Sequence, residues 1–345
     1  MTRFGFDAVV FGLQRFGGVS TYCWELMWRM ARDHGDDLTV TMPQKQLGSR
    51  WGDVAGLSRQ VMTEKIPTRV ARYLNCANDS SILVSSYYRL AAGRQRLVVP
   101  VYDFMYERYR SGLARTVHSW QKRKACESAA AMLCISHSTR TDLLDHYPNI
   151  DPARVHVTHL AVDHGRFYPE PDAVPALHDS LLFVGQRAGY KRFDLAVETA
   201  RACGKKLAII GPVLTAEEKT MLQDRLADRW FPYAAPDEAS MRRAYSSAFA
   251  LLYPSDYEGF GLPLLEAQAC GSPTIAAYSS SLPEVGGEAT LFAVQQKVDD
   301  YAGLVLQLGD ESVRERMKLA GLDNAKAFQW NRTYAATMKM IGSLI

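Results

Sequence analysis

The sequence predicts an α/β protein made of two Rossmann-like parallel-sheet domains that face a cleft. Its 345 residues are enough for two domains of ordinary size. Short apolar runs of β type alternate with amphipathic helical runs, which is the pattern of parallel sheets with crossover helices. Residues 165–175, rich in proline and charge, interrupt this alternation. We therefore expect an N-terminal domain at residues 1–168 and a C-terminal domain at residues 176–328.

The first series contains six apolar runs that predict strands: FDAVVF, LTVTM, SILVSS, LVVPVY, AMLCIS and VHVTHL. Helical stretches fall between them and include residues 18–33, 112–129 and 138–146. Ser136 precedes the last of these helices and is interpreted as its N-cap. In sheets of this kind ligands bind beyond the carboxyl ends of the strands, so the loops that follow strands are the candidates for a site.

The second series predicts five further strands: SLLFVG, KLAIIG, AFALLY, PTIAAY and ATLFA. Predicted helices lie at residues 192–202, 215–228, 236–246, 262–270 and 298–309. Two last helical stretches, residues 312–328 and 330–345, are followed by no strand. The second domain therefore repeats the strand–helix alternation of the first domain and ends in helices.

The composition is typical of a globular protein without membrane spans. Hydrophobic residues make up 47% and charged residues 22% of the chain. No apolar run approaches the ~20 residues needed to cross a bilayer. The N-terminal stretch is interpreted as a first strand and loop rather than as a signal peptide. The six cysteines are scattered without a C-x-x-C pair, so we expect reduced, buried thiols and a cytoplasmic protein.

The net charge of +3 is unevenly distributed along the chain. Residues 1–165 contain 21 Lys and Arg against 15 Asp and Glu, a charge of +6. The remainder has 40 − 21 = 19 basic and 37 − 15 = 22 acidic residues, a charge of −3. A basic first half favours an anionic partner for the first domain. No helix-turn-helix, zinc or RNA-binding signature accompanies this charge, so we expect no nucleic-acid partner.

The most informative string is EGFGLPLLEA, residues 258–267, which follows the apolar run AFALLYP. A helix that begins directly after Gly259 and Gly261 presents free backbone N–H groups and the positive end of its dipole, which suits a phosphate. Pro263 falls in the first turn, where its missing N–H is tolerated. Glu258 and Glu266 flank this anion site and can accept hydrogen bonds from hydroxyl groups. A phosphate site between two hydroxyl acceptors predicts nucleotide-sugar binding.

A basic loop, FVGQRAGYK at residues 183–191, follows the first strand of the second domain. Gly185 and Gly189 allow tight turns, and two cations, Arg187 and Lys191, project from the loop. The guanidinium offers a planar set of donors and the ammonium a compact charge. Together they can neutralise a diphosphate leaving group.

Two loops of the first domain also follow predicted strands. In QRFGGVS, residues 14–20, Gly17 and Gly18 allow backbone N–H groups to come close to a ligand. In VYDF, residues 101–104, Tyr102 and Asp103 follow the fourth apolar run. Both loops are candidates for lining the predicted cleft.

The Glu-x7-Glu string and the basic loop resemble those of the family-4 retaining glycosyltransferases of the bacterial polysaccharide or lipopolysaccharide type, which have the GT-B fold. The resemblance implies that a helix at residues 329–345 packs back on the N-terminal domain. It implies catalytic roles for Glu258, Lys191, Arg187 and Asp103. Residues implied in donor binding are Gly17, Gly18, Gly185, Gly211, Pro212, Gly259, Phe260, Gly261, Leu262, Leu265 and Glu266.

The chain departs from this family at two positions. Many relatives have His where this chain has Tyr102, so a catalytic imidazole is not expected there. We assign Tyr102 and Asp103 to acceptor binding. Arg187 stands one place later than the corresponding Arg of many members, whereas the spacing from Gly185 to Lys191 fits.

The reaction that the resemblance implies is transfer of a hexose, mannose or similar, with retention. The donor would be a nucleoside-diphosphate sugar, GDP-mannose or a UDP-sugar, and the acceptor a saccharide or a polyprenyl-diphosphate-linked saccharide of cell-surface polysaccharide biosynthesis. Since the chain has no Asp-x-Asp and no metal-ligand spacing, we expect no cofactor and no essential metal.

Two other classes of function are consistent with these motifs. One is a GT-B-fold nucleotide-sugar epimerase or phosphorylase, which incubation with the donor alone would separate from a transferase. The other is a non-catalytic sugar-binding partner, against which the complete set of Glu258, Glu266 and Lys191 argues. A dinucleotide oxidoreductase is disfavoured because no G-x-G-x-x-G follows the first strand.

Residues 58–74, SRQVMTEKIPTRVARYL, combine basic and apolar side chains. If the part beyond Pro67 is helical, Arg69 and Arg72 lie on one face of the helix. Each basic residue near an anionic leaflet contributes ~1 kcal/mol to binding. We therefore hypothesise peripheral contact with the cytoplasmic leaflet of the plasma membrane. The alternative is an ordinary solvated helix whose apolar face packs on the core.

Overall fold

The computed structural model describes residues 3–14, 17–43, 60–171, 174–234 and 237–345. The chain divides into two compact units. The first consists of Met1–Leu160 together with Trp330–Ile345, and the second of Ala161–Gln329. Each unit contains one sheet of parallel strands connected through helices, so the predicted fold class of two parallel-sheet α/β domains is confirmed.

The first unit is built on a sheet that has seven strands in the described residues, all parallel. The strands are β1 (Phe4–Asp7), β2 (Leu38–Pro43), β3 (Gln60–Glu64), β4 (Ile82–Ser85), β5 (Arg96–Val101), β6 (Ala131–Cys134) and β7 (Val155–Val157). The strand order is β3-β2-β1-β4-β5-β6-β7. The helices between them are α1 (Val10–Leu13), α2 (Gly18–His34), α3 (Thr68–Ala71), α4 (Met105–Tyr109), α5 (Gly112–Ser128) and α6 (His137–His146).

Two details of the first unit differ from the sequence prediction. The run FDAVVF is not one strand, because β1 ends at Asp7 and α1 begins at Val10. The Asp7 carboxylate accepts a hydrogen bond from Val9 N (3.3 Å), and Ser86 Oγ accepts one from Val10 N (3.1 Å), which satisfies N–H groups of the helical turn. The edge strand β3 was not predicted, because its half-exposed side chains lack a clear apolar pattern.

The second unit is built on a sheet that has six parallel strands in the described residues. The strands are β8 (Ser180–Val184), β9 (Lys206–Ile210), β10 (Trp230–Pro232), β11 (Ala250–Tyr253), β12 (Thr274–Ala277) and β13 (Leu291–Ala293), in the order β10-β9-β8-β11-β12-β13. The helices are α7 (Phe193–Ala202), α8 (Ala216–Leu226), α9 (Glu238–Ser247), α10 (Leu262–Ala269), α11 (Leu282–Gly286), α12 (Val298–Gln307) and α13 (Glu311–Lys326).

The core of the second unit consists of apolar side chains from its strands and from the helices that cover them. Leu181, Leu207 and Leu252 are fully buried in one continuous cluster with Ile275. Because β8 pairs with β11 in parallel, the carboxyl ends of these two strands lie side by side. Strand β10 was not predicted. It is short and ends in Pro232, which an edge strand tolerates because its N–H need not join the ladder.

The last helix, α14 (Trp330–Gly342), packs on the first unit. Trp330 lies against Tyr22 with ring centroids 6.4 Å apart, and Arg29 Nε donates a hydrogen bond to Asn331 Oδ1 (3.0 Å). Thr333 Oγ1 donates to the carbonyl of His159 (2.7 Å). Both aromatic and polar contacts therefore fix the helix to α2 and to the end of β7.

The stretch hypothesised to contact a membrane contains β3 and one short helical turn. The helical part beyond Pro67 is α3, only four residues long, and Arg59 lies outside the described residues. Met62, Ile66 and Val70 are exposed on this segment. Among the residues that the structure describes, no helix has both the length and the apolarity needed to cross a bilayer.

Candidate active site

Lys191 and Glu258 form an ion pair where the loops after β8 and β11 meet. Lys191 ends a 3₁₀ turn, Gly189–Lys191, and Glu258 follows β11. The ammonium donates to Glu258 Oε1 and to the hydroxyl of Tyr253 (3.1 Å). The two charged side chains are only 12% and 11% exposed. An ammonium has three N–H donors, and two of them are engaged among the described residues, so one donor of Lys191 remains for a ligand.

Tyr253 was not singled out in the sequence, although it belongs to the apolar run AFALLYP that precedes Glu258. It is the last residue of β11 and is almost fully buried. Burial raises the pKa of its hydroxyl well above the usual value, and the charge of Glu258 acts in the same direction. The hydroxyl is therefore protonated at neutral pH and orients the ammonium of Lys191.

Three consecutive serines, Ser279–Ser281, hold the loop that carries Glu258 in place. Ser280 Oγ accepts a hydrogen bond from Glu258 N (2.8 Å), and Ser281 Oγ lies 2.9 Å from the carbonyl oxygen of Glu258. Ser279 Oγ donates to the carbonyl of Asp256. The sequence analysis missed these residues, although the string SSSLP just before α11 was the available signal. The main chain around Glu258 is thereby fixed from the neighbouring loop.

Helix α10 begins directly after Gly261, as the sequence predicts. Gly261 has φ +105°, and a Cβ there would lie 2.7 Å from Leu282 Cδ2, so both conformation and space require glycine. Leu262 is the first helical residue, and Pro263 stands in the first turn. Pro263 has no N–H, and Leu264 N donates to the carbonyl of Gly261 (2.9 Å), so Leu262 provides the N–H of the first turn that can bind an anion.

Other residues of this string belong partly to the core. Gly259 is half-buried beside Glu258. Phe260 is buried with its ring 6.0 Å from that of Phe328, and Leu265 is completely buried. The side chain of Leu265 therefore packs α10 onto the core and is not exposed to a ligand.

Glu266 projects from α10 toward Tyr245 of α9. The Tyr245 hydroxyl donates a hydrogen bond to Glu266 Oε2 (2.9 Å), which makes Tyr245 a second residue that the sequence analysis missed. Desolvation raises the pKa of Glu266 to about 7, although the Tyr245 hydrogen bond lowers it. Within the described residues, Oε1 accepts no hydrogen bond, so it is available to a hydroxyl group of a ligand.

Arg187, Gly185 and Gly211 come together at the ends of β8 and β9. Gly185 has φ +126°, and a Cβ on Gly211 would lie 2.2 Å from the carbonyl oxygen of Gly185. Arg187 donates to Glu218 (2.6 Å) and to the carbonyl of Val213 (3.0 Å), and its side chain is 5% exposed. Arg187 Nη1 is buried and has no hydrogen-bond partner among the described residues.

The placement of Arg187 limits how it can act on a ligand. Glu218 also accepts a hydrogen bond from Thr215 N (2.8 Å) in the capping box of α8. Arg187 is thus tied to a helix terminus, in contrast to Lys191. Pro212, also assigned to donor binding, is exposed beside Gly211.

The candidate residues of the first unit follow β1 and β5. Gly17 has φ +139° and caps α2, whose first residue is Gly18, whereas Arg15 and Phe16 of the same motif lie outside the described residues. Tyr102 is 4% exposed, and its hydroxyl donates to the carbonyl of Ser86 (2.9 Å). Its hydroxyl is therefore engaged with the protein.

Asp103 is half-buried, and its carboxylate accepts a hydrogen bond from Met105 N (3.1 Å). Its carbonyl oxygen accepts one from the buried ammonium of Lys122 (2.7 Å), which also pairs with Glu107 (2.9 Å). Both Tyr102 and Asp103 line a cavity of the first unit with a volume of about 570 Å³. The structure thus brings together the two residues that the sequence assigned to an acceptor.

Comparison with known proteins finds a family model that part of the chain matches. Residues 175–322 match the family model described as "Glycosyl transferases group 1". The O-antigen chain mannosyltransferase B of Escherichia coli is 43% identical over 112 residues, which are 32% of this chain and 29% of that protein. The D-inositol 3-phosphate glycosyltransferase of Mycobacteroides abscessus is 30% identical over 235 residues, 63% of this chain and 52% of that protein. The chain thus spans about half the length of the second of these curated relatives and less than a third of the first.

Two solved structures resemble the whole chain. A sucrose-phosphate synthase from Thermosynechococcus elongatus has a TM-score of 0.79 at 18% identity and covers 100% of this chain and 99% of its own. The HepE protein of Anabaena, solved with UDP and glucose, has a TM-score of 0.72 at 12% identity and covers 99% of this chain and 100% of its own. The fold is therefore of the GT-B type, and most of the second unit matches the glycosyl transferases group 1 model.

Proposed function

We propose that this chain is a retaining glycosyltransferase of family 4 that moves a hexose from a nucleoside-diphosphate sugar to a saccharide or lipid-linked saccharide. One observation carries the proposal: the ammonium of Lys191 lies at the carboxyl edge of the sheet, and Glu258 and Tyr253 engage two of its three donors in the described part of the chain. Helix α10 begins after the same loop, four residues after Glu258. A cation and a helix N-terminus together suit the diphosphate of a nucleotide sugar.

In the proposed reaction the bond between the anomeric carbon and the phosphate oxygen breaks, and its electron pair stays on the diphosphate. Lys191 and the N-terminus of α10 stabilise this charge, the electrostatic role that is usually the largest in such sites. Glu258 binds hydroxyl groups of the sugar, and Glu266 binds the ribose. The acceptor hydroxyl attacks from the face that the leaving group vacates, and its proton passes to the departing phosphate oxygen.

Mannose is the proposed sugar, with GDP-mannose or a UDP-sugar as the donor, in cell-surface polysaccharide biosynthesis. The name of the Escherichia coli relative, an O-antigen chain mannosyltransferase, supports this choice. A similar fold has been solved with UDP and glucose, which supports a nucleoside-diphosphate sugar as the donor class. The acceptor is proposed to bind to the first unit, where Tyr102 and Asp103 line a cavity.

The transfer is proposed to need no metal and no cofactor. The charge that a divalent ion would supply is provided by Lys191 and by the N-terminus of α10. Arg187 is a second cation, whose Nη1 has no hydrogen-bond partner among the described residues. Arg187 would contribute only if its contact with Glu218 allowed the guanidinium to turn. Lys191 is therefore the principal cation of the proposed mechanism.

A peripheral contact with an anionic membrane surface is also proposed, through the segment that contains β3 and α3. Ile66 and Val70 are exposed there, each next to an exposed basic residue, Lys65 and Arg69, so apolar and cationic groups share this segment. Sedimentation with anionic liposomes tests this contact at low and high salt. The parent should sediment more than the Ile66→Glu/Val70→Glu double variant, and equal recovery in the supernatant would remove the membrane contact from the proposal.

Thermal unfolding with a panel of GDP, UDP, ADP and dTDP sugars tests the donor class. A ligand present at a hundredfold excess over its Kd stabilises the native state by about 2.7 kcal/mol, so the cognate donor should raise Tm by several degrees. Transfer should then follow with that donor and a cell-surface saccharide acceptor. Absence of any shift with every sugar nucleotide would contradict the proposal.

A further inference from the structure

The first unit contains a cavity of about 570 Å³ with aromatic walls. Pockets of about 300–1,000 Å³ are typical of small-molecule sites. The aromatic lining consists of Tyr73, Tyr87, Tyr88, Tyr102, Tyr106 and His118. Tyrosine presents a flat apolar ring and one polar group, which suits a sugar, since a sugar has an apolar face of C–H groups and a rim of hydroxyls.

The side chains of the aromatic wall pack against one another. The rings of Tyr106 and His118 stack with their centroids 4.0 Å apart and planes at 14°. Tyr88 contacts His118 edge-on at 5.7 Å and Tyr102 at 6.3 Å. A sugar ring could therefore bind against a preformed surface, with little loss of side-chain entropy.

Two arginines line the same cavity without a carboxylate partner. Arg69 and Arg72 form no ion pair with any carboxylate among the described residues, whereas buried Arg89 is paired with Asp7 at 2.9 Å. Arg72 is half-buried, with its guanidinium 4.8 Å from the ring centroid of Tyr87. Its Nε is buried and has no hydrogen-bond partner in the described part of the chain. This leaves an unneutralised guanidinium whose planar donors match a phosphate or a carboxylate.

The other titratable groups of the cavity do not cancel this charge. Asp103 supplies one negative charge, and its carboxylate already accepts the hydrogen bond from Met105 N. Burial lowers the pKa of His118 to about 4, so its imidazole is neutral at pH 7, and Nδ1 has no partner among the described residues. Lys122, behind the wall, is neutralised by Glu107. Two arginines against one aspartate leave the cavity with a net charge of +1.

We propose that this cavity binds the acceptor of the transfer, and that the acceptor is a glycoside bearing a phosphate or a carboxylate. Arg72, assisted by Arg69, binds the anionic group, while the sugar ring lies against the tyrosines and the neutral imidazole of His118. That the bound glycoside is the acceptor of the transfer rests on the proposed function. The preference for an anionic glycoside rests on the cavity itself.

Ligand-observed NMR titrations of the full chain with glucose 1-phosphate, glucuronate and methyl α-glucoside test the preference. Both anionic sugars should bind at least tenfold more tightly than the uncharged glycoside. Arg72→Met should weaken their binding at least tenfold, Arg72→Lys should weaken it less, and Arg69→Met should act in the same direction. The control Arg94→Met, an exposed arginine of the same unit outside the cavity, should change the Kd by less than twofold.

Lys191→Met is the second control, because glucose 1-phosphate could also bind at the phosphate site of the second unit. The Kd of glucose 1-phosphate for Lys191→Met should stay within twofold of the parent value if the cavity is the binding site. The farnesyl phosphodiester of glucose tests whether the anionic acceptor is lipid-linked or soluble. If it binds more tightly than glucose 1-phosphate, the acceptor is lipid-linked, and if the two bind equally, the acceptor is soluble. Equal affinity for charged and uncharged sugars, or unchanged binding in both Arg72→Met and Arg69→Met, would overturn the proposal.

The two proposals fail in different ways. If sugar nucleotides neither stabilise the protein nor support transfer while Arg72-dependent binding of anionic sugars persists, the proposed function is wrong and the anionic-glycoside site stands. If transfer proceeds equally to charged and uncharged acceptors and is unaffected by Arg72→Met, the function stands and the acceptor class is wrong.

Discussion

The two units each contain a buried ion network at the carboxyl ends of parallel strands, and the two networks differ in how many donors they use. In the first unit Arg89 is paired with Asp7 and Glu64, and the side chains of Arg89 and Asp7 are 1% and 0% exposed. In the second unit Lys191 is paired with Glu258, and these side chains are 12% and 11% exposed. The Arg89–Asp7 pair is sealed from solvent, and only Glu64 of the first network is partly exposed, at 17%. In the second network both partners can be reached from solvent.

The number of N–H donors that already have a partner distinguishes a structural ion network from a binding site. All N–H groups of the Arg89 guanidinium are engaged: Nη1 donates to Asp7 and Glu64, Nη2 to Glu64 and the Asn75 carbonyl, and Nε to the Leu74 carbonyl. Lys191 has two of three donors engaged. Similar positions in similar sheets thus yield one network that stabilises the fold and one that retains a donor for a ligand.

Arg89→Met should have the largest effect on stability. Removing the guanidinium leaves buried Asp7 and half-buried Glu64 without a counter-charge, so the free energy of unfolding should fall by about 3–5 kcal/mol. Urea denaturation followed by circular dichroism measures this value. The control Arg96→Met, at the exposed start of β5, should stay within about 0.5 kcal/mol of the parent. A loss below 1 kcal/mol in Arg89→Met would mean that the network is not a structural one.

Alanine variants of the two site carboxylates should separate sugar from ribose binding. Losing a charge-assisted hydrogen bond costs ~1.5–3 kcal/mol, or roughly ten- to a hundredfold. Glu258→Ala should lower kcat, because its contact lies near the reacting carbon, and Glu266→Ala should raise the donor KM. Steady-state kinetics measures both, with exposed Glu288→Ala as the matched control. Values within twofold of the parent for both variants would remove the assignment.

The raised pKa of Glu266 predicts a pH-dependent loss of stability. Its value of about 7 in the folded state exceeds the ordinary 4.5, so the folded state binds more protons than the unfolded state between these values. The unfolding free energy should therefore fall as pH rises from 4.5 to 7, and Glu266→Gln should abolish a part of this fall on the order of 1 kcal/mol. Chemical denaturation at pH 5, 6, 7 and 8 measures it. Parallel curves for the parent and the variant would show that Glu266 does not titrate in this range.

Chelation should have the smallest effect. Because Lys191 supplies the positive charge of the site, the rate of transfer in excess EDTA should stay within about twofold of the untreated rate. An assay before and after dialysis against EDTA checks this, with magnesium added back as a control. Loss of activity that Mn²⁺ restores would assign the charge to a metal ion instead.

The sequence predicted those parts of the site whose residues are close together in the chain. It did not predict contacts between residues that are far apart in the chain. Glycines, glutamates and proline within ten residues predict the start of α10 after Gly261, and a short loop predicts the position of Lys191. The hydrogen bond from Tyr245 to Glu266 spans 21 residues, and the Arg89–Asp7 pair spans 82, so no local pattern marks either. Their formation depends on the order of strands in each sheet.

The same distinction explains the errors in secondary structure. Strands buried on both faces, such as β8 and β11, read as continuous apolar runs and were predicted. The edge strands β3 and β10 were missed because their side chains are partly exposed and carry no such run. The run FDAVVF was read as one strand, because its apolar residues hide the turn that the hydrogen bonds of Asp7 and Ser86 stabilise.

Calorimetric titration of GDP and UDP into the parent and two variants tests most directly whether the Lys191–Glu258 network is the donor site. Lys191→Met removes the free donor, and Lys191→Met/Glu258→Gln removes both charges, so that no buried carboxylate is left unpaired. Both variants should bind the preferred nucleotide at least tenfold more weakly, and transfer should fall by about 10²–10³-fold, the effect of losing one electrostatic donor. The control Lys219→Met, an exposed lysine on α8, should bind as the parent does. Parental affinity in the folded double variant would contradict the assignment.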